Sequence, residues 1–418
     1  MEKVLHKLFY GFLVGALVAS LALFLNYQLS SATGYWNAFG RIYFYFLIAY
    51  TWYIFLLLFV DDFRVKKYPA YDGALISVIM PCYNETPELL ALSLRSIMEA
   101  RGNMEIIIVD DGSTNATKDT LARLEGYANI RVHRFPANKG KRHALHYAVT
   151  HLVKGEFVAC VDSDTVVDRD ALTRVVEPLL DPSVGASTGD VRLLNERTNW
   201  LTRMVGAYYW VGLNIYKRAQ SALGIVVCCS GCLSAYRQET LLKIIDEFVA
   251  QEFFNEPCTH SEDRHLTNLV LKQGYRVVYQ DRAVSYTHTP DTLKGFLKQQ
   301  QRWKRGYVRE SIYTLSWAWR TRKILFFEII LWDLTLTFLS LGIRVASLLL
   351  FITQPLFFIR FILPGWLYFM SVRYVFMLFY APQKILGLIY YTFLYEFVLY
   401  WQNIIALFTL KNKSWITR

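Results

Sequence analysis

Apolar residues are concentrated at the two ends of the chain and thin out in between. Residues 8–25 and 42–60 are almost free of charge, and each is long enough to cross ~30 Å of hydrocarbon as a helix. Apolar runs resume at 324–352, 356–381 and 385–410. Between them, residues 61–323 show a different pattern: short β-branched runs closed by Gly, Asp and Asn turns, alternating with helical periodicity. Residues 75–80 form a run closed by Pro81, and 105–109 form another closed by Asp110, Asp111 and Gly112. The helical pattern 88–100 lies between these two, giving a strand, a helix and a strand.

That distribution predicts two amino-terminal membrane helices (1–60), a cytoplasmic α/β domain (61–290) and amphipathic interfacial helices (291–323). Two further spans follow (324–381), then an interfacial or re-entrant return with a carboxyl-terminal loop (382–418). Lys3 and Lys7 precede the first span while residues 26–40 carry no Lys or Arg, which puts the central domain in the cytoplasm and the chain in the inner, or plasma, membrane. A third full crossing by 385–410 would strand Lys411, Lys413 and Arg418 outside, so this run is expected to return to the cytoplasmic surface.

Composition supports this picture, since 54% apolar and 16% aromatic residues with only 19% charged is too apolar for an ordinary soluble chain of 418 residues. The net charge of +11 flanks apolar runs and comes with no nucleic-acid motif, so lipid headgroups are the expected partner and nucleic acid is not. All six cysteines lie in the part assigned to the cytoplasm, which argues against structural disulfides. Cys229, Cys232, Cys258 and His260 offer one ligand-like spacing, but Cys-x-His is too tight for a usual zinc pair.

Chemistry gathers where the strands end, because parallel strands put their carboxyl ends on one edge and ligands of open α/β sheets bind there. Pro81-Cys82-Tyr83-Asn84-Glu85 follows the first strand, Asp110-Asp111-Gly112-Ser113 the second, and Asp162-Ser163-Asp164 follows the run 157–161. Asp162-x-Asp164 is spaced for Mg2+ or Mn2+, ions that take oxygen ligands and leave positions for a diphosphate. The basic turn 138–143, with Lys139, Lys141 and Arg142 around Gly140, is expected to hold phosphates with its amides and cations. Neither a Walker sequence nor Gly-x-Gly-x-x-Gly is present, which removes the main support for ATPase or dinucleotide readings. Glu262 and Asp263 open the helical pattern 266–273 and supply a carboxylate able to deprotonate an acceptor hydroxyl. In the amphipathic segment 292–311, Trp303 offers a flat platform for a sugar and Arg302 a diphosphate partner, whereas Lys304 and Arg305 read as interfacial anchors.

The order of Asp110-Asp111-Gly112-Ser113, Asp162-Ser163-Asp164, Glu262-Asp263 and Gln299-x-x-Arg302-Trp303 resembles the processive inverting glycosyltransferases of family 2, the group of cellulose, chitin and hyaluronan synthases. Thr188-Gly189-Asp190, Cys229-Ser230-Gly231 and the closing Trp415-x-Thr417-Arg418 tighten the resemblance toward hyaluronan synthases and the rhizobial chitooligosaccharide synthases. The resemblance implies a GT-A-type α/β domain inserted between membrane helices. It implies that Pro81, Tyr83, Glu85, Asp110, Lys141, Asp162 and Arg302 meet the uridine diphosphate, with Trp415, Thr417 and Arg418 closing over it. It also implies a metal at Asp162 and Asp164, Asp263 as general base beside Glu262, and Cys229, Ser230, Gly231, Gln299 and Trp303 at the acceptor. Cys232 and Ile416 depart from the family pattern, at a proline and a glycine respectively. The expected product is a β-linked amino-sugar chain exported through the protein's own membrane region: first hyaluronan from UDP-GlcNAc and UDP-GlcA, alternatively a GlcNAc-only β-1,4 chain, made by a monomer. From another class, Asp333, Arg344 and Arg373 within apolar runs also suit a transporter or channel.

Overall fold

The computed structural model describes residues 68–123, 129–357 and 380–412, with isolated positions between 11 and 58 and between 359 and 378. Most of 8–25, 42–60 and 356–381, the side chains of Asp333 and Arg344, and Trp415, Thr417 and Arg418 lie outside the described residues. The chain divides into two compact units, one of residues 1–57 with 330–385 and one of residues 58–329 with 386–418. In the first, the most continuous element is the apolar helix Leu336–Thr353. Among the described residues, no helix is long and apolar enough to cross a membrane.

The second unit is built on an eight-stranded sheet in the order β3-β2-β1-β4-β7-β6-β10-β5. These strands are β1 Ile76–Cys82, β2 Met104–Asp110, β3 Ile130–Arg134, β4 Phe157–Cys160, β5 Thr165–Val167, β6 Val184–Leu193, β7 Ser234–Arg237 and β10 Arg276–Thr287; the hairpin β8 Glu252–Phe253 and β9 Glu256–Pro257 stands apart. All seven β1 residues are buried, as expected of a parallel strand covered on both faces, and Val78, Met80, Ile106, Ile108, Phe157 and Ala159 anchor the core. The first strand runs two residues further than the apolar pattern suggests: Pro81 pairs with Val109 at the strand end, where a missing N–H is tolerated.

Register places the chemistry. Cys82 pairs with Asp110 and Ile79 with Cys160 in parallel ladders, so the segments after β1, β2 and β4 leave from one edge. β7 runs antiparallel between β4 and β6, pairing Ser234 with Cys160 and with Thr188. The loop that enters β7, residues 228–233, is thereby carried to the same edge. Seven helices matter for the argument: α1 Pro87–Met98, α2 Lys141–Tyr147, α3 Trp200–Val211, α4 Gln238–Val249, α5 Glu262–Lys272, α6 Leu293–Thr321 and α7 Gln402–Phe408. Helix α6 is a single element of 29 residues, begun by the Thr292 hydroxyl accepting from the Gly295 amide.

Candidate active site at the carboxyl edge of the sheet

At this edge a lysine sits among carboxylates drawn from distant parts of the chain. Lys141 Nζ lies 2.5 Å from Asp162 Oδ1 and 3.3 Å from Glu262 Oε1. A Cβ placed on Gly231 would come within 2.8 Å of Lys141 Nζ and 3.0 Å of Asp162 Oδ2, so the 228–233 loop lies directly against the pair and a larger residue there would push on it. Burial works against the Lys141 charge, yet Asp162 and Glu262 outweigh it and hold the ammonium well above its ordinary range.

The two neighbouring carboxylates of α5 are driven apart. Burial alone would raise Glu262, but the Lys141 ammonium, its own backbone amide and Arg142 bring it down to about 2. Asp263 is raised, first by burial and then by the negative charge of Glu262. Asp263 accepts from the Arg264 amide at 2.8 Å and from the Cys228 thiol at 3.5 Å. Two adjacent acids thus divide into a permanent counter-charge and a group suited to take up a proton.

The 228–233 loop is pinned from below. The Thr267 hydroxyl accepts from the Cys229 amide at 2.8 Å, and the Thr188 hydroxyl accepts from the Ser230 amide at 3.2 Å and donates to the Leu233 carbonyl at 3.1 Å. Cys229 turns inward, fully buried, its thiol pushed up to about 12 by burial, while Gly231 lies against Asp162.

Several expected phosphate and nucleotide groups have other partners. The amides of Lys139 and Gly140 donate to Asp111 at 2.7 and 2.8 Å rather than pointing to a ligand. Asp111 is buried and needs these donors, although burial still leaves its carboxyl above the usual range. Asp111 therefore builds the turn that delivers Lys141, a role that Asp-Asp-Gly alone does not announce. Gly112 makes this possible, with φ +75° and a virtual Cβ only 2.7 Å from the Ala137 carbonyl carbon. Asp110 is buried and accepts from the Ser113 amide at 2.9 Å, with Arg134 Nε 3.5 Å away. Glu85 is also buried and accepts from the Ser163 hydroxyl at 3.0 Å, joining the first acidic cluster to the third. Pro81 is buried in the strand end, and Tyr83 is exposed at its rim.

Asp164 borders the site with its Oδ1 3.5 Å from the hydroxyls of Thr165 and Thr287. Among the described residues no group of three or more His, Cys, Asp or Glu gathers as a metal cage. The Asp164 carboxylate with its two hydroxyl neighbours offers the oxygen ligands a hard divalent cation takes, while the Oδ1 of Asp162 is held by Lys141.

Across from the carboxylates runs α6. Gln299 is half-buried, and its side-chain oxygen lies enclosed without a hydrogen-bond partner. The Trp303 ring sits 6.2 Å from that of Tyr209 on α3 at a 51° tilt. Tyr209 escaped the sequence reading, yet its phenol is held well above its ordinary range, first by burial, with neighbouring Cys232, Tyr208 and Asp164 adding to this and Arg302 opposing. It therefore joins the tryptophan end of the site to the Asp164 end. Lys304 and Arg305, expected as interfacial anchors, bond instead to Asn403 at 2.9 Å and Thr409 at 2.9 Å.

Gly306 is the second residue that sequence reading missed, although a glycine inside a long helical pattern is a signal of close packing. A Cβ there would lie 1.6 Å from Ser261 Oγ and 2.6 Å from Ser261 Cβ, so rotating the serine is not enough to make room. Ser261 holds φ +64° just before Glu262 and Asp263. We expect Gly306→Ala to push the start of α5 away from α6, costing about 1–3 kcal/mol in stability and about tenfold or more in turnover. Thermal unfolding and turnover of the purified variant check this.

Residues 77–245 match the family model described as Glycosyl transferase family 2. The N-acetylglucosaminyltransferase of Mesorhizobium japonicum (strain LMG 29417 / CECT 9101 / MAFF 303099) is 34% identical over 355 residues, covering 82% of this chain and 81% of that protein. That of Rhizobium leguminosarum bv. viciae is 36% identical over 259 residues, covering 61% of this chain and 59% of its own length. Among solved structures, the mannosyltransferase PcManGT from Pyrobaculum calidifontis in complex with GDP-Man and Mn2+ superposes with a TM-score of 0.58 at 20% identity, covering 90% of this chain and 99% of that one, a likeness of fold.

Proposed function

The chain belongs to glycosyl transferase family 2, and we propose that it is an inverting N-acetylglucosaminyltransferase that joins GlcNAc units from UDP-GlcNAc into a β-1,4-linked chain. The observation that carries this is the separation of Asp263 from Glu262 by Lys141 at the sheet edge, in a chain aligned along most of its length with an N-acetylglucosaminyltransferase. In this reading Asp263 takes the proton of the acceptor hydroxyl while that oxygen bonds to the anomeric carbon. The bond from that carbon to the UDP oxygen breaks on the opposite side, which inverts the configuration.

Lys141 and Arg302 face the negative charge of the departing diphosphate, and Tyr83 at the rim faces the nucleotide. Asp162 and Asp164 would hold Mg2+ or Mn2+, which would neutralise that leaving group. Trp303, with Tyr209 beside it, gives the acceptor sugar a flat apolar face, and Ser230, Gly231 and Gln299 supply its polar border.

The same reading seats the enzyme at a membrane with its transferase domain on the cytoplasmic side. The apolar runs at both ends support this, as do the exposed Phe393, Phe397 and Phe408, 53%, 73% and 85% accessible, on the carboxyl-terminal helices. The relatives' names favour GlcNAc alone over the hyaluronan pair. Supplying UDP-GlcNAc, UDP-GlcA and both together tests this. We expect UDP-GlcNAc alone to give a chitinase-sensitive product, unaffected by UDP-GlcA. A hyaluronidase-sensitive product that requires both donors would overturn the GlcNAc-only reading.

A further inference from the structure

Helix α6 has two working faces. At about 100° per residue, positions 299, 302, 303 and 306 fall on one side and 297, 301, 304 and 305 on the other. The first side carries Trp303 toward Tyr209 and Gly306 onto Ser261. The second is held by α7, which lies about a hundred residues further along the chain.

That hold is polar and runs in both directions. Gln301 Nε2 donates to the Gln402 carbonyl at 3.2 Å, and Gln402 Nε2 donates back to the Leu297 carbonyl at 3.1 Å. Lys304 Nζ donates to Asn403 Oδ1 at 2.9 Å while lying 5.2 Å from the Tyr395 ring centre. Arg305 Nε donates to the Thr409 hydroxyl at 2.9 Å, and that hydroxyl donates on to the Ile405 carbonyl at 2.5 Å. Gln402, Asn403 and Arg305 are buried, at 9%, 8% and 8% accessibility. Buried polar groups are unfavourable unless paired, so these bonds permit one register of α6 against α7 where a purely apolar contact would tolerate several.

We propose that α7, with Thr409 just past its end, is a clasp that sets the rotation and height of α6, with Gln402, Asn403 and Thr409 as positioning residues for Arg302 and Trp303. A slip of one residue along α6 would turn its working face by about 100° and carry Trp303 away from Tyr209. None of the three touches the carboxylate site, so they act through the helix they grip. The consequence for turnover rests on the transferase reading above; the grip itself does not.

The test uses the full chain, comparing Gln402→Ala/Asn403→Ala with Asn403→Asp, which keeps an acceptor for Lys304. Hydrogen exchange of peptides covering 297–306 reads the grip, with exchange in the sheet as the control for folding. We expect about threefold or greater acceleration in the double alanine variant, confined to α6 and α7, and wild-type exchange in Asn403→Asp. With UDP-GlcNAc, we expect kcat for transfer to sugar to fall about tenfold in the double variant with KM for UDP-GlcNAc within about twofold, and Asn403→Asp to stay close to wild type.

Unchanged exchange in 297–306 overturns the clasp whatever the activity. Faster exchange with undiminished transfer overturns its positioning role, as does an Asn403→Asp variant as impaired as the alanine one. A wild-type chain that releases no UDP from UDP-GlcNAc contradicts the transferase reading instead, and exchange alone then decides the clasp.

Discussion

Asp263→Asn is expected to lower GlcNAc transfer by about 10^2–10^4-fold while leaving UDP affinity within a few-fold of wild type, because it removes a proton acceptor and keeps the side chain's shape. Single-turnover transfer and UDP titration of the same preparation check both halves. The pH dependence follows from the direction of the shift. A base works when deprotonated, and burial with the Glu262 charge holds Asp263 above the ordinary carboxylate range. Activity should therefore be lost as pH falls through that raised value, at a higher pH than an ordinary aspartate would give. Weak UDP binding in the variant, or full transfer, contradicts the assignment.

Lys141→Met should be nearly as damaging and should differ in its signature. Without the ammonium, Asp162 and Glu262 lose the ion-pair partner they share, and stripping one partner from a buried charge pair typically costs about 3–5 kcal/mol. Lys141 also lowers Asp263 against burial and Glu262, so its loss should raise Asp263 further and move the acid limb of the pH–rate profile to higher pH. Glu262→Gln should move that limb the opposite way, since it removes a negative charge that raises Asp263. Turnover should fall about 10^2-fold or more in Lys141→Met, and Lys141→Arg should keep part of it by preserving the charge. Acid limbs that shift in the same direction for Lys141→Met and Glu262→Gln contradict this electrostatic arrangement.

The edge of the sheet was legible because it depends on local pattern. Apolar runs ending at Pro81, Asp110 and Val161 mark strands, and parallel strands bring the ends of β1, β2 and β4 together without further information. The antiparallel β7 was not legible, and it is what delivers Gly231 to Asp162. The resemblance picks Asp263 over Glu262 as the base, but spacing alone does not show what distinguishes the two, because Lys141, which pairs with Glu262, sits on a different helix. The turn 138–140 misled for the same reason. Its amides are suited to phosphate in isolation, but the buried Asp111 takes two of them.

Segment 292–311 shows the limit of periodicity most plainly. Its mixture of aromatic and basic residues suits a surface helix, yet Arg305, Arg309 and Glu310 are buried in it, with Glu310 bonded to His265 at 3.0 Å and Gln251 at 2.8 Å. Charged residues that find partners on α5, α7 and the loop before β8 look the same in sequence as charged residues that face headgroups.

The measurement closest to the centre of the account is the configuration of the first bond formed. Wild-type chain given UDP-GlcNAc, a short GlcNAc acceptor and Mg2+ or Mn2+ should release one UDP per sugar transferred. Proton NMR of the product should show the new anomeric centre as β, inverted from the α-linked donor, as displacement aided by Asp263 requires. An α linkage, or UDP release with no sugar transferred, would contradict it.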